Sequence, residues 1–331
     1  MKHYLRISAL LAVLLFLLPL ATVRVIRNWS DAGEQEPEPI EILPPGAIDS
    51  ADTIRVLLGD TVTEMPMNTY LACVLRAEMP ASFEQEALCA QAVAARTYTY
   101  YKLHAGGNHG ATADICGDST CCQAYLSQEA AEKNWGDKAA YYEAKIENAV
   151  SATDGQVALY QDAPILAVFH SSSAQRTKSS GEVWLQDLPY LQSVSSPEKG
   201  DEIPNYYSRA EFTADEFRNI FRGAHPEAEL SGDCSGWVRD LTLSASGSVQ
   251  TVCIGGVRVK GTELRRLYAL RSTTFELETQ GGKLIFYVTG FGHGVGMSQY
   301  GANEMAREGA TWQEIIRHYY SGVEIGTYAL H

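Results

Sequence analysis

Several features that define other protein classes are missing from this sequence, and each absence excludes a function. Positive charge is scarce, since 26 Lys and Arg stand against 40 Asp and Glu for a net charge of −14. A nucleic-acid partner held by a basic surface is therefore excluded. No G-x-S-x-G motif is present to indicate a serine nucleophile on a strand-to-helix turn. The glycine-rich stretch 290–296 contains neither G-x-G-x-x-G nor a P-loop lysine, which argues against a nucleotide site.

A regular alternation of strands and helices is also missing. Strand-like runs such as 53–58, 249–254 and 283–288 are mixed irregularly with helical runs, among them 127–152 and 312–320. This pattern predicts an α+β fold of mixed helices and mostly antiparallel strands. The length allows one large domain or two tightly packed lobes.

The amino-terminal segment differs from the rest of the chain. Basic residues flank an uncharged apolar run from Ile7 to Val23, and no A-x-A-like cleavage site follows it. This predicts a membrane anchor over residues 1–27 with the amino terminus in the cytoplasm, and a removed signal peptide is the alternative. Residues 28–52 are acidic and proline-rich, which predicts an unfolded linker before a domain spanning 53–331.

Glu78 is the candidate catalytic residue. Leu71, Val74, Leu75 and Glu78 have the spacing of one helix face, so the carboxyl group continues an apolar stripe. Pro80 predicts that the helix ends near Glu78. Burial and a helix carboxyl terminus both raise a carboxyl pKa, which suits a proton donor. The alternative is a solvated helix end, or an ion pair with Arg76 or Arg96.

The next helix has its own start signal and an unusual composition. Ser82 and Gln85 have the spacing of a capping box. Alanines then dominate residues 87–95, which predicts close packing against neighbouring elements. Arg96 and Tyr98 follow as longer side chains, and we expect both at the functional site.

Three of the seven cysteines lie in one loop, within residues 104–125. Cys116, Cys121 and Cys122 follow His104 and His109 in a segment of small and polar residues. Such spacing can place three or four ligands around a tetrahedral Zn²⁺. Because the apolar amino-terminal segment indicates export, a disulfide or free thiols are equally open alternatives.

Two further polar stretches are candidates for a binding site. A predicted strand at 165–169 leads directly into His170, Ser171, Ser172 and Ser173, which we interpret as a pocket wall, with a plain loop as the alternative. Tyr190 is an aromatic group of the kind that stacks on sugar rings or fills a core. His293 lies within the glycine-rich stretch, where it could bind substrate, orient a partner or cap a helix.

Four ordered blocks of this sequence together resemble one family, the stage II sporulation protein D and amidase-enhancer domain family. The resemblance covers residues 54–328. The blocks are YLACVLRAEMPASFEQEALCAQAVAARTY, ADICGDSTCCQAY, VFHSSSAQRT with VWLQDLPYLQSV, and GFGHGVGMSQYGA with IIRHYYSGVEI.

The resemblance implies a peptidoglycan lytic transglycosylase. Such an enzyme cleaves bonds between N-acetylmuramic acid and N-acetylglucosamine in peptide-stripped strands, during septal thinning and engulfment in sporulation. The alternative is a non-catalytic, glycan-binding activator of a cell-wall amidase. Implied partners are glycan strands and an amidase similar to stage II sporulation protein P in a membrane complex. The implied location is the mother-cell membrane, facing the engulfing septum.

The resemblance also implies roles for individual residues. Glu78 is the glutamate of the family's E-M-P motif and thus the implied acid and base. The family's structural zinc, held by two cysteines and two histidines, implies Cys116 and Cys122 as ligands, with Cys121 and His109 completing the set; Cys121 stands where the family usually has histidine. Cys89 and Gln175 replace the family's usual lysine and glycine. The substrate-binding candidates are Arg96, Tyr98, His170, Ser171, Ser172, Ser173, Tyr190, His293, Gln299 and Tyr300.

Overall fold

Helices and short strands follow one another irregularly along the chain, which a computed structural model describes over residues 40–106, 109 and 112–328. The helices are α1 (Ala47–Ala51), α2 (Met67–Glu78), α3 (Gln85–His104), α4 (Gln128–Trp135), α5 (Ala139–Ala152), α6 (Ser180–Val183), α7 (Ala214–Ala224), α8 (Gly261–Leu267), α9 (Gln299–Arg307) and α10 (Trp312–Tyr319). The strands are β1 (Thr53–Leu58), β2 (Thr61–Pro66), β3 (Ile115–Cys116), β4 (Gln156–Tyr160), β5 (Ala163–Pro164), β6 (Phe169–His170), β7 (Tyr207–Thr213), β8 (Val238–Leu243), β9 (Val249–Ile254), β10 (Val257–Lys260), β11 (Phe275–Gln280), β12 (Lys283–Thr289), β13 (Met297–Ser298) and β14 (Glu324–Thr327).

The strands pair in five small sheets, ordered β2-β1-β3, β10-β9-β8, β11-β12-β7, β13-β6 and β14-β4-β5. Within the described residues every strand pair is antiparallel except β1–β3 and β6–β13. The predicted α+β class with mostly antiparallel strands is therefore confirmed.

Two hydrophobic cores lie within the unit formed by residues 41–331. The first core, here the helical lobe, is built around α2, α3 and α5. The second, here the inserted lobe, lies between β7 and β12 along the chain, and Phe217 and Phe286 are among its buried side chains. The chain leaves the helical lobe after α6 and returns to it at β13.

α3 runs through the centre of the helical lobe. Residues 87–100 are all buried, so this helix has no solvent face along that length. Its alanines explain how this is possible, because small side chains let α2, α5, α9 and α10 approach α3 from different sides. The predicted close packing is thus confirmed, although the start of the helix differs from the prediction. Its amino-terminal cap is Glu84, without a side-chain cap bond, so the predicted capping box at Ser82 and Gln85 is wrong.

The run 127–152 was expected as one helix and is split into α4 and α5. Gly136 divides them, because its φ of +55° lies in the left-handed region that cannot continue a right-handed helix. In the inserted lobe, α7 begins with a capping box in which the Thr213 hydroxyl accepts from the Glu216 N–H.

The amino-terminal predictions fall mostly outside the described residues. The anchor at 1–27 and the linker as far as residue 39 are among the residues left undescribed. Along the described part of the chain, no helix combines the length and hydropathy needed to cross a bilayer. Residues 40–52, predicted to be linker, instead pack on the helical lobe, since Asp49 of α1 is buried against Arg96. The folded unit therefore begins upstream of the predicted boundary at 53.

Candidate functional site

A cavity of ≈ 520 Å³, here called the cleft, is lined by elements of both lobes. Glu78 at the end of α2, the cysteine loop and the residues around β6 form the walls from the helical lobe, and Arg265 of α8 comes from the inserted lobe. The lining residues are Glu78, Tyr98, Ser119, Thr120, Cys121, Cys122, Gln123, Val168, Phe169, His170, Ser171, Arg265, Phe291, Gly292, His293 and Gln299.

Glu78 is the last residue of α2, as the proline signal predicted. Met79 is extended, with φ −127° and ψ 136°, so the helix cannot continue into Pro80. The Glu78 side chain is half-buried, and its Oε1 accepts a hydrogen bond from the Ala124 N–H at 2.7 Å. Burial raises the pKa of Glu78, and the Ala124 N–H opposes this only in part.

The alternative of an ion pair for Glu78 is not what the structure has. Arg76 pairs with Glu143, and Arg96 pairs with Asp49. Over the described ranges, no Lys or Arg lies within ion-pair distance of Glu78. A half-buried carboxyl group without a cation favours its protonated form, which is the form that can donate a proton.

Gln299 holds the end of α2 in place. Its Nε2 donates to the Glu78 backbone carbonyl at 2.8 Å and approaches the Gln91 Oε1 at 3.4 Å. The Glu78 carbonyl is one of the last in its helix and has no partner within α2. Gln299 therefore caps the helix that carries the candidate acid, which is a positioning role.

The cysteine loop gathers four candidate metal ligands. One ligand atom from each of His109, Cys116, Cys121 and Cys122 lies within 4.8 Å of the others. The His109 Nε2 is 3.7 Å from the Cys121 Sγ and 3.8 Å from the Cys122 Sγ, and the two sulfurs are 3.7 Å apart. A tetrahedral Zn²⁺ with ordinary bond lengths requires ligand separations of about 3.5–3.8 Å, so this donor set fits the ion.

The disulfide alternative is not found, since no disulfide bond links the cysteines, all of which lie in the described part of the chain. Cys73 and Cys89 are buried within α2 and α3, as expected of small core residues. Two interpretations of the cysteine loop therefore remain, which are metal binding by the four residues and thiols that bind no metal.

The same loop also fixes Glu78. The Cys122 N–H donates to the Asp118 carbonyl at 2.7 Å, which closes the turn that carries the sulfurs. The following Gln123 is buried, and its Nε2 donates to the Tyr70 hydroxyl at 3.2 Å. Ala124 comes next and gives its N–H to Glu78. The conformation of this loop therefore sets the position of the hydrogen bond that the Glu78 carboxyl group accepts from the Ala124 N–H.

Two histidines form another wall of the cleft. The His170 Nδ1 lies 3.2 Å from the Val295 carbonyl, which can only accept, so Nδ1 carries the proton and Nε2 accepts from the Ser173 hydroxyl at 2.7 Å. Burial lowers the pKa of His170 well below its ordinary value. Burial, with the charges of Arg265 and Lys178, lowers the pKa of His293 to about 4. Both imidazoles are therefore neutral near pH 7.

The glycine-rich stretch passes close to the residues before β6 and so places His293 near His170. Gly290, Gly292, Gly294 and Gly296 all have positive φ. A Cβ on Gly296 would lie 2.1 Å from the Val168 carbonyl oxygen, so only glycine lets the loop pass this close to the residues before β6. This close approach places the centre of the His293 ring 5.6 Å from that of the His170 ring and 5.5 Å from that of the Trp184 ring.

The predicted substrate-binding residues divide into two groups. The cleft contains Tyr98, His170, Ser171, His293 and Gln299, together with Cys121 and Cys122 of the metal set. It does not contain Arg96, Ser172, Ser173, Tyr190 or Tyr300.

Arg96 is the clearest correction. Its guanidinium is wholly buried and paired with Asp49, and Nη1 donates to the Gln156 carbonyl at 3.1 Å. Because those contacts use the guanidinium inside the core, Arg96 cannot also reach the cleft. A helical pattern does not reveal that Arg96 would be surrounded on all sides.

The other displaced residues have structural partners. Ser172 and Ser173 are buried behind His170, and the Tyr190 hydroxyl accepts from the Leu166 N–H at 3.3 Å. Tyr300 packs edge-on against Phe83 and lines a separate small cavity. Ser173 is held away from the cleft by its own contacts, since its hydroxyl donates to the His170 Nε2 at 2.7 Å and its N–H donates to the Glu198 carboxylate at 2.7 Å.

Arg265 and Phe291 line the cleft and were missed from the sequence. Phe291 is 45% exposed and lies within the G-F-G-H-G motif, so that motif was a usable signal. Arg265 lies in α8 of the inserted lobe. Its sequence neighbourhood contains no pattern that predicts a place in the same cavity as Glu78, which is far away in sequence.

Comparison with known proteins places this chain among sporulation proteins. A family model described as SpoIID, stage II sporulation protein, matches residues 59–160. Stage II sporulation protein D of Bacillus amyloliquefaciens is 37% identical over 267 residues, which cover 80% of this chain and 75% of that protein. The protein of the same name from Bacillus subtilis (strain 168) is 33% identical over 337 residues, covering 98% and 96%.

A relative with a different name is also similar. The amidase enhancer of Bacillus subtilis (strain 168) is 28% identical over 307 residues, which cover 77% of this chain and 40% of the enhancer. The match therefore spans less than half of that longer protein.

Proposed function

Because this chain belongs to the stage II sporulation protein D family, we propose that it is a peptidoglycan lytic transglycosylase acting in sporulation. Its substrate is the bond between N-acetylmuramic acid and N-acetylglucosamine in glycan strands whose stem peptides have been removed, and its product carries an anhydro-muramic end. The observation that carries this proposal is Glu78, a half-buried carboxyl group without a cation partner, facing a cleft of ≈ 520 Å³.

In the first step Glu78 acts as a general acid. Its raised pKa keeps the carboxyl group protonated closer to neutral pH than an exposed glutamate would be. The Ala124 N–H occupies Oε1, so the proton is carried by Oε2, which is free to reach the glycosidic oxygen. Protonation of that oxygen lets the bond to the anomeric carbon break with an oxocarbenium-like transition state.

In the second step the same carboxylate acts as a base. It takes the proton of the muramic acid's own 6-hydroxyl, whose oxygen attacks the anomeric carbon and closes the anhydro ring. Glu78 is thereby reprotonated, and no water is consumed. A cleft lined by a second catalytic carboxylate would favour hydrolysis instead, and among the described residues only Glu78 contributes a carboxylate to this cleft.

The test is digestion of peptide-stripped glycan by the purified protein, followed by mass spectrometry of the products. We expect anhydro-muramic ends, and we expect Glu78→Gln to reduce the rate by about 10²–10⁴-fold because it removes the proton donor. Glu84→Gln, a glutamate at the cap of α3 outside the cleft, serves as the matched control. Hydrolytic products, or full activity in Glu78→Gln, would contradict the proposal.

A second candidate function is activation of another enzyme. The relative named amidase enhancer favours it. In that case the cleft would bind glycan without cleaving it, and the partner would be an amidase similar to stage II sporulation protein P in a membrane complex. The two candidates differ in one measurement, since an activator yields no glycan cleavage alone and raises the rate of stem-peptide release when an amidase is added.

We propose that the cysteine loop binds one structural Zn²⁺ through His109, Cys116, Cys121 and Cys122. When bound, the ion would supply folding energy to the loop rather than chemistry at the glycan. The proximity of the four ligand atoms, all within 4.8 Å of one another, supports this assignment.

Zinc removal is the corresponding test. We expect about one Zn²⁺ per chain by elemental analysis, and a fall in the melting temperature of about 5–10 °C after chelation. Cys116→Ser should reproduce the fall, whereas Cys253→Ser, a free thiol of the inserted lobe, should not. A metal-free preparation with unchanged stability would contradict the assignment.

The anchor and the location are further parts of the proposal. Residues 1–27 would hold the catalytic domain outside the cytoplasm, on the mother-cell membrane facing the engulfing septum. The test is membrane fractionation of full-length protein and of a chain starting at residue 28, which should leave the membrane fraction.

A further inference from the structure

The cleft contains a cation with no carboxylate partner in the described part of the chain. Arg265 of α8 is half-buried, and its Nε donates to the Arg271 carbonyl at 3.3 Å. Within residues 40–106, 109 and 112–328, no Asp or Glu forms an ion pair with its guanidinium. The neighbouring Arg266 differs, since it is exposed and lies 4.0 Å from Glu263.

A second cation, Lys178, lies near Arg265 without lining the cleft itself. Lys178 is buried beneath the glycine-rich stretch, and its Nζ donates to the Thr273 hydroxyl at 2.6 Å. Burial and the charge of Arg265 lower the pKa of Lys178 to about 8. The two cations therefore repel each other.

The groups around these cations do not balance their charge. His170 and His293 are neutral, and Glu78 must be protonated when it acts as an acid. Glu182 faces Lys178 from α6, where its Oε2 already accepts from the Ser246 hydroxyl at 2.6 Å. A buried, uncompensated positive charge is costly unless a ligand supplies the anion.

The proposed substrate offers one anionic group that fits. Hydroxyl and acetamido groups of the glycan are neutral. A muramic acid whose stem peptide has been removed exposes a lactyl carboxylate, whereas an intact stem peptide turns this group into a neutral amide. A guanidinium binds a carboxylate through two parallel hydrogen bonds and does so poorly with an amide.

We propose that Arg265 binds the lactyl carboxylate of muramic acid in the cleft and thereby selects peptide-stripped strands. This inference rests on the proposed function. Arg265 and Glu78 line the same cavity from different lobes, so the bound sugar would lie between its proton donor and its carboxylate receptor. A strand with intact peptides would present a neutral amide to Arg265 in place of the lactyl carboxylate. Arg265 would therefore bind stripped strands in preference to intact ones.

Two matched substrates test the inference with the full protein. One is peptide-stripped glycan with free lactyl carboxylates, and the other is the same glycan after conversion of those groups to methyl esters. We expect the unmodified protein to prefer the free acid by about 10–100-fold in kcat/KM. Arg265→Gln should lose most of that preference, with the loss on the free acid appearing in KM.

Two further variants sharpen the result. Arg265→Lys should retain part of the preference, because lysine keeps the positive charge but cannot form the two parallel hydrogen bonds of a guanidinium. Arg266→Gln should retain all of the preference. An equal loss on both glycans in Arg265→Gln would show a merely structural role. Equal rates of the unmodified protein on both glycans would overturn the inference without any variant.

A binding experiment separates this inference from the proposed function. Calorimetry with Glu78→Gln, compared with the double variant that adds Arg265→Gln, measures glycan binding without cleavage. If the chain never cleaves glycan but Glu78→Gln prefers the free acid through Arg265, the enzyme proposal fails and the inference stands. If Glu78→Gln binds both glycans equally, the inference fails even where cleavage is observed.

Discussion

The chemistry proposed for this protein depends on how a single carboxyl group is held. Glu78 ends a helix, accepts a hydrogen bond from the Ala124 N–H and, over the described residues, has no cation within ion-pair distance. The nearby arginines are engaged elsewhere, Arg76 with Glu143 and Arg96 with Asp49. This distribution of partners leaves Glu78 with a raised pKa.

The raised pKa makes a prediction about stability. Between the pKa of an unfolded glutamate, about 4.3, and the higher pKa of Glu78 in the folded state, the folded state holds the proton more tightly. The free energy of unfolding contributed by Glu78 is therefore lost as pH rises through that interval. We expect Glu78→Gln to be more stable than the unmodified protein at pH 7, and about equal to it below pH 4.

Denaturant titrations at several pH values measure this difference. Glu84→Gln, which removes a carboxyl group at the cap of α3 outside the cleft, is the matched control. A Glu78→Gln variant that is less stable at pH 7 than at pH 4, relative to the unmodified protein, would contradict the prediction.

At the scale of elements, two loops rather than two helices determine the cleft. The cysteine loop carries the N–H that meets Glu78, and the glycine-rich stretch carries His293 and Phe291. Gln299, directly after β13, caps α2 and so connects the second loop to the candidate acid. Loops held this closely can position side chains opposite the end of α2.

The close approach of the glycine-rich stretch can be tested by one methyl group. Gly296→Ala would place a Cβ 2.1 Å from the Val168 carbonyl oxygen in addition to requiring φ +70°. Gly281→Ala is the matched control, because its φ is +59° and nothing lies within 4 Å of the added atom. We expect Gly296→Ala to cost at least about 2 kcal/mol more than Gly281→Ala, as measured by denaturant unfolding. Equal costs would show that the loop has room to move.

At the scale of the whole molecule, residues upstream of β1 are part of the folded unit. Asp49 of α1 is buried against Arg96 of α3, and the Asn148 side chain donates to the Glu41 carbonyl at 2.7 Å. These contacts join residues upstream of β1 to α3 and α5 of the helical lobe.

Removing one member of the buried ion pair should be costly. Asp49→Ala leaves the Arg96 charge in a core from which water is excluded, and we expect a loss of about 3–5 kcal/mol in the free energy of unfolding. Glu129→Ala breaks an exposed pair with Lys133 on α4 and should cost no more than about 0.5 kcal/mol. Thermal and denaturant unfolding measure both. A small loss for Asp49→Ala would mean that the segment before β1 contributes little to stability.

Much of the architecture followed from local patterns. The stripe of Leu71, Val74 and Leu75 and the proline after Met79 determined α2 and its end, because both are short-range properties of the chain. The alanine content of α3 likewise predicted tight packing, since side-chain volume limits how closely helices approach. Glu78 could be singled out because its charge interrupts an otherwise apolar pattern.

The sequence by itself thus determined the helix that carries Glu78, the grouping of thiols in the cysteine loop and the glycines that permit close approach. Only the tertiary structure decided which side chains share the cleft. It moved Arg96 into the core and brought Arg265 from the inserted lobe to face the same cavity as Glu78. The physical reason is that spacing along a helix reports which face a residue occupies, whereas the partner of that face depends on how distant segments pack.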